Sequence, residues 1–260
     1  MVVFSFFLLL IITIGIYKFR DGFLYYLGFK TDKYANELSA DERKLTDIRI
    51  YEVLHKHDNK AIGFDVSEYQ SEIDWEQTYH IDEAFELSFV FIRSTAGKDK
   101  IDSKFKENWK AAKERQLIRG AYHYYRPNEN SIEQAENFIK TVKLQKGDLP
   151  PVLDIEKLPK SQSIDSLKVG LRRWLNRVEK HYKVKPIIYS GESYYTDFLK
   201  EEFSEYPLWI ANYNFWRNHL EDDWLFWQFT EKAQIQGIKG MISIKIFYGD
   251  KNKLRLKCIR

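Results

Sequence analysis

Eight short apolar or aromatic runs recur along residues 61–250, and charged, helix-like sequence separates several of them. The runs lie at 62–66 (IGFDV), 88–93 (SFVFIR), 118–125 (IRGAYHYY), 150–155 (PPVLDI), 185–190 (KPIIYS), 207–212 (PLWIAN), 225–229 (LFWQF) and 242–248 (ISIKIFY). Runs of this length, rich in β-branched and aromatic residues, read as strands. Helix-like segments span 102–116, with Phe105, Trp109 and Ala112 on one face, and 131–143, where Ser131 and Gln134 have capping-box spacing. Two more run from about 163 to 182 and from about 192 to 203. The spacers 213–224 and 230–241 are too irregular for long helices. Alternating β and α units predict a parallel sheet, and eight strands allow it to close. About 190 residues is short for a complete eightfold barrel, which usually needs ~250, and the loss of three helices accounts for the deficit. The expected fold is α/β, an irregular TIM-like barrel of eight strands and about five helices.

In such barrels the active site forms at the C-terminal ends of the strands, so polar residues there are the candidates. The fourth run ends in Asp154 and Glu156, with one isoleucine between them. Side chains two apart on a strand share a face, roughly 7 Å apart. Asp65 closes the first strand, and the third offers His123 and Tyr125. Tyr189, Asn212, Tyr213, Trp227 and Gln228 end the fifth, sixth and seventh. Paired carboxylates in an aromatic cleft suit glycosidic bond hydrolysis, where one acid donates a proton to the leaving oxygen and the other stays ionised. Crowding splits their proton affinities and raises one. Aromatic content of 16% supplies faces for sugar rings, or simply fills a core.

The blocks GFDVSEYQSEIDW, FVFIRSTAGKDKIDSKFKENWKAAKERQLIRGAYHYYRP, PPVLDIE, PIIYSG, PLWIANY and WQFT occur in this order. Together they resemble the lysozymes of glycoside hydrolase family 25. The resemblance implies a β/α barrel that cleaves the β-1,4 bond between N-acetylmuramic acid and N-acetylglucosamine in peptidoglycan, without metal or other cofactor. It implies Glu156 as the general acid, Asp154 as the carboxylate that orients the substrate's acetamido group, and Asp65 as a first-strand acid shaping the site. Three positions depart from the family pattern. Ser243 and Lys245 stand where an acid and an asparagine are usual on the last strand, and Ala96 stands where a glutamate follows the second. Those departures keep a non-hydrolytic peptidoglycan-binding barrel open as an alternative, alongside a hydrolase of another N-acetylated glycan.

The first 60 residues read differently. Residues 2–17 carry no charge, Lys18 and Arg20 follow, and the first alanine is Ala35. With no basic leader and no small-residue cleavage site, residues 1–22 are expected to be a transmembrane anchor or uncleaved signal. Residues 23–60 read as a charged spacer with a short helix from about Asp41 to Leu54, and 61–260 as the barrel domain. The expected placement is membrane-anchored with the barrel outside the cytoplasm, or secreted. Positive charge only after the span argues the other way, because it favours a cytoplasmic C-terminus. The 41 basic residues nearly balance 38 acidic ones, so the chain is not expected to bind nucleic acid. A single cysteine, Cys258, excludes an intramolecular disulfide framework and any multi-cysteine metal site.

Overall fold

The computed structural model of the chain describes residues 38–82 and 84–260. The apolar segment at 2–17 lies outside the described residues, as does the start of the spacer. Among the described residues no helix is long and apolar enough to cross a membrane. The expected spacer helix is present as α1 (Ala40–Lys56). It groups with Asn214–His219 in one compact unit, where the Arg49 guanidinium donates to the carbonyl of Asn214 at 3.0 Å. Residues His57–Tyr213 and Leu220–Arg260 form the other unit.

That second unit is a closed barrel. Its eight staves are β1 (Ile62–Val66), β3 (Phe85–Ala96), β5 (Ile118–Tyr124), β6 (Val152–Asp154), β7 (Ile187–Gly191), β8 (Leu208–Ala211), β9 (Trp224–Ala233) and β10 (Ile242–Phe247). They follow one another around the ring, and pairing of β1 with β3 closes it. The two-residue strands β2 (His80–Ile81) and β4 (Lys100–Ile101) pair only with β3. All eight expected strands are present, but the sheet is not wholly parallel. β10 runs antiparallel to both β9 and β1. The reason is the length of the connection: residues 234–241 are too few for a parallel crossover, which needs a dozen or more. The start of β10, rather than its end, therefore lies level with the C-terminal ends of the other staves.

Helices α2 (Phe105–Glu114), α3 (Ser131–Thr141) and α4 (Ile164–Tyr182) cover the crossovers from β3 to β7. A helical run of α5 (Glu192–Tyr194), a π-type segment (Tyr195–Leu199) and α6 (Lys200–Phe203) follows β7, and α7 (Lys251–Arg255) follows β10. The first crossover carries no α-helix, only a 3-10 turn at Glu68–Gln70 and β2. The start of α3 differs from the capping-box reading. Asn130 is the N-cap, its side chain accepting from the amides of Ile132 and Glu133. Gln134 turns inward instead, accepting from the Arg126 amide at 2.9 Å and donating to the Arg126 carbonyl at 3.0 Å.

Much of the aromatic surplus fills the barrel. Phe91 stacks on Trp209 with ring centroids 4.5 Å apart, and Phe226 meets Phe89 and Phe91 at 5.2 Å each. These rings need facing positions without side chains. A Cβ on Gly63 would come within 2.4 Å of the Phe89 carbonyl oxygen, and one on Gly120 within 2.6 Å of the Phe91 ring. The glycines are therefore part of how so aromatic a core closes at native packing density.

Candidate active site

Register decides which side chains reach the barrel interior, because residues directly opposite on paired strands share a face. Asp154 lies opposite Tyr124 of β5 and Tyr189 of β7. Around the ring, Tyr189 lies opposite Trp209, Ala211 opposite Gln228, and Gln228 opposite Lys245. Lys245 lies opposite Gly63, two residues before Asp65. The acids expected on β1 and β6 thus share the interior face, at the same end of the barrel.

Asp154 is buried at the end of β6, and its Oδ1 has no hydrogen-bond partner. Burial pushes its carboxyl well above the usual carboxylate range. Glu156 raises it further, while Arg93 and Lys157 pull the other way. Glu156, two residues on, is exposed, and its Oε1 accepts from the Tyr189 hydroxyl at 3.1 Å. Gln228 extends this network, its amide donating to the hydroxyls of Tyr189 at 3.3 Å and Tyr213 at 2.5 Å. Four of the expected residues (Glu156, Tyr189, Tyr213 and Gln228) therefore meet in one hydrogen-bonded cluster, and Asp154 lies opposite Tyr189 beside it.

Asp65 reaches the same mouth but is not a free third acid. Its Oδ1 is ion-paired with Lys245 Nζ, which also donates to the Ser243 carbonyl at 3.1 Å. Lys245 is fully buried and lies 5.1 Å from the centre of the Trp209 ring.

Three expected residues, His123, Tyr125 and Trp227, point elsewhere, and Asn212 bonds outside the cluster. His123 and Tyr125 sit on the opposite face of β5 from Tyr122 and Tyr124, under the helices. The His123 ring bonds Thr95 Oγ1 at 2.7 Å and Gln134 Oε1 at 3.2 Å, and stacks on Trp174 at 5.5 Å. Burial lowers its pKa to about 3, so it is a neutral packing residue and not a sugar contact. Tyr125 is 1% exposed and packs edge-on against His123. Trp227 is fully buried on the outer face of β9, donating to the Asn212 carbonyl at 2.9 Å. Asn212, one residue past β8, hydrogen-bonds the Glu192 carboxylate with its side chain.

Three residues that the sequence reading did not single out take their place. Tyr124 is half-buried and lies under the Lys157 ammonium, 5.5 Å from ring centre to nitrogen. Tyr122 is buried in the barrel, its hydroxyl pushed far up by burial and then by Asp154. Arg93, at the interior end of β3, is anchored by Asp102 at 2.9 Å and Glu68 at 3.1 Å and stacks on Tyr69 at 4.5 Å. Asp102 accepts from the Lys104 amide and also holds Arg93. The register of β5 against β6 was the available signal: whichever side chain lies beside Asp154 must be inward.

The described residues hold no group of three or more His, Cys, Asp or Glu suited to a metal ion. The cluster can hold a proton between Asp154 and Glu156, orient a ring hydroxyl or amide through Tyr189 and Gln228, and present aromatic faces beside them.

Comparison with known proteins agrees with this architecture. The profile for Glycosyl hydrolases family 25 matches residues 64–238. The uncharacterized protein YegX of Escherichia coli (strain K12) is 39% identical over 197 residues, covering 74% of this chain and 71% of its own. Lysozyme M1 of Streptomyces globisporus is 29% identical over 207 residues, 74% of this chain and 69% of that one. Among solved structures, a family 25 glycosyl hydrolase from Bacillus anthracis superposes with a TM-score of 0.68 at 28% identity, covering 78% of this chain and 95% of that chain.

Proposed function

The chain belongs to Glycosyl hydrolases family 25, and on that premise we propose that it is a muramidase cleaving the β-1,4 bond between N-acetylmuramic acid and N-acetylglucosamine of peptidoglycan. The observation that carries the reading is the pair at the end of β6. One carboxyl is buried with an unpartnered oxygen, and the other is exposed under a tyrosine hydroxyl. Such a pair titrates as a unit and keeps one proton between its members.

Burial favours that proton on Asp154. A sugar entering the cleft changes both environments. An acetamido N–H donated to the open Asp154 Oδ1 stabilises the ionised form, and the sugar ring covers Glu156 and favours its protonated form. The proton moves to Glu156, which donates it to the leaving glycosidic oxygen. Asp154, now ionised, holds the acetamido group so that its carbonyl oxygen attacks the anomeric carbon. Tyr189 and Gln228 fix the rotamer of Glu156, and Tyr124 offers a face to a sugar ring. This route tolerates carboxyls farther apart than the ~5–5.5 Å of direct retaining attack; inversion at the anomeric carbon would rule it out. The three acids and the charge-neutral frame around them support hydrolysis over binding alone, despite Ser243 and Ala96.

We further propose that the apolar segment at 2–17 tethers the protein to a membrane with the barrel on the side of the cell wall. Support for this comes from the charge-free run itself and from the location of the substrate.

Digestion of purified sacculi followed by mass analysis tests the reaction. The wild type is expected to release fragments with N-acetylmuramic acid at the new reducing end. Glu156→Gln should lower the rate by about 10²–10⁴-fold, the usual worth of a general acid, while still sedimenting with sacculi. Undiminished cleavage by that variant would remove the acid assignment, and fragments reducing at N-acetylglucosamine would remove the muramidase reading.

A further inference from the structure

Lys245 is a fully buried lysine that the site's expected chemistry does not call for. It stands on the last stave, beyond the residues 64–238 that match the family profile. Its side chain lies inside the barrel, opposite the bare backbone of Gly63, and reaches Asp65 at the mouth. A lone charge buried there would be strongly disfavoured, so such a lysine persists only if it is paired and hydrogen-bonded. Both conditions hold, through Asp65 and the Ser243 carbonyl.

We propose that Lys245 is a positioning residue that locks Asp65 into a net-neutral couple, leaving the proton of the reaction to Asp154 and Glu156 alone. The inference rests on the muramidase reading and adds a division of labour to it.

The groups around the ammonium support this. From β1 it meets Asp65, from its own strand the Ser243 carbonyl, and from β8 the Trp209 face. On β9 its register partner is Gln228, which ties to the Tyr189 and Tyr213 hydroxyls and through Tyr189 to Glu156. Across the barrel stand Asp154 and, on β3, Arg93, itself neutralised by Asp102 and Glu68. Burial favours a neutral amine on Lys245, and the Asp65 carboxylate paired with it favours the ammonium. Whichever side holds the shared proton, the couple carries no net charge. Without the amine, Asp65 would add an uncompensated third negative charge to the barrel mouth that it shares with Asp154 and Glu156. The missing last-strand acid fits the same arrangement: the main-chain carbonyl of Ser243 accepts from the lysine, and its side chain adds no carboxylate to restore the negative charge.

The test is the pH dependence of kcat/KM on sacculi for the full chain, with Lys245→Met and the double variant Asp65→Asn/Lys245→Met. Lys245→Met is expected to lower kcat/KM at least tenfold at the wild-type optimum. It should also move both limbs of the profile to higher pH, by about half to one unit, as an uncompensated carboxylate raises its neighbours' proton affinities. The double variant, neutral again, should return both limbs to their wild-type positions whatever its rate. A purely structural lysine would lower the melting temperature and leave the limbs in place, which overturns the proposal. So do displaced limbs in the double variant, which also carries the test if Lys245→Met does not fold. Should the wild type fail to cleave sacculi, the function reading falls alone. The carboxyl titration of Asp154, followed by 13C NMR, then decides the inference: an upward shift in Lys245→Met supports it and an unchanged one refutes it.

Discussion

Asp154 and His123 are both buried ionisable groups, and burial acts on them in opposite senses. For the carboxyl, the neutral form is protonated and its affinity rises; for the imidazole, the neutral form is deprotonated and its pKa falls to about 3. Only the first is useful to a proton donor, because a carboxyl that keeps its proton can lend it. The second is a matter of stability. Between pH 6.5 and 3 the unfolded chain binds a proton on His123 that the folded chain refuses, so stability is lost as pH falls through that window. The slope is about 1.4 kcal/mol per pH unit for one full proton. His123→Gln should flatten the decline of melting temperature between pH 6 and 4 relative to wild type, with cleavage per folded molecule unchanged. Parallel declines would show that the imidazole is not the group being titrated. At this scale the Asp154–Glu156 pair was legible from spacing alone. The pairing of Asp65 was not, since its partner lies 180 positions along the chain.

Strand identities follow from composition, and the faces of those strands do not. All eight staves occur where apolar and aromatic runs occur, because a strand covered on both sides by barrel core and helices needs apolar residues on both. That same double burial removes the alternation that would tell inside from outside. In AYHYY every position is aromatic or small, so His123 and Tyr125 looked as eligible as Tyr122 and Tyr124. The same ambiguity misdirected Trp227, one residue from the inward Gln228. Pairing Asp154 with Tyr124 resolves it, since a slip of one residue would send every side chain to the wrong face. Helix ends are more local and more legible. The start of α3 was located correctly, although Asn130 caps it and Gln134 is spent on the turn that holds Arg126. Asn130→Ala should cost about 1 kcal/mol, lowering the melting temperature by about 2–4 °C with kcat unaffected. A loss of activity without a loss of stability would mean that this loop serves the cleft directly.

Taken as a molecule, the barrel unit closes with one stave reversed, and that reversal brings the start of β10 to the catalytic mouth. The family match ends at residue 238, just before that stave, which carries Ser243 and Lys245. The closure was foreseeable from eight runs and too few helices, whereas the reversal depended on the short connection at 234–241. The proposed tether belongs to this scale too. The full chain is expected in the membrane fraction, and a chain lacking residues 1–22 in the soluble fraction. Equal partitioning of the two would remove the anchor.

Beneath the fold, the family and the substrate lies a single claim, that a proton resides on a carboxyl at the end of β6 under conditions where ordinary carboxylates have lost theirs. Its most direct test is 13C NMR titration of the Asp and Glu carboxyls in the intact protein, with Asp154→Asn to assign the signal. One aspartate resonance is expected to titrate well above the usual carboxylate range, to vanish in that variant, and to shift when a non-hydrolysable N-acetylated glycan is added. An Asp154 carboxyl that ionises in the ordinary range, indifferent to the glycan, would contradict that claim.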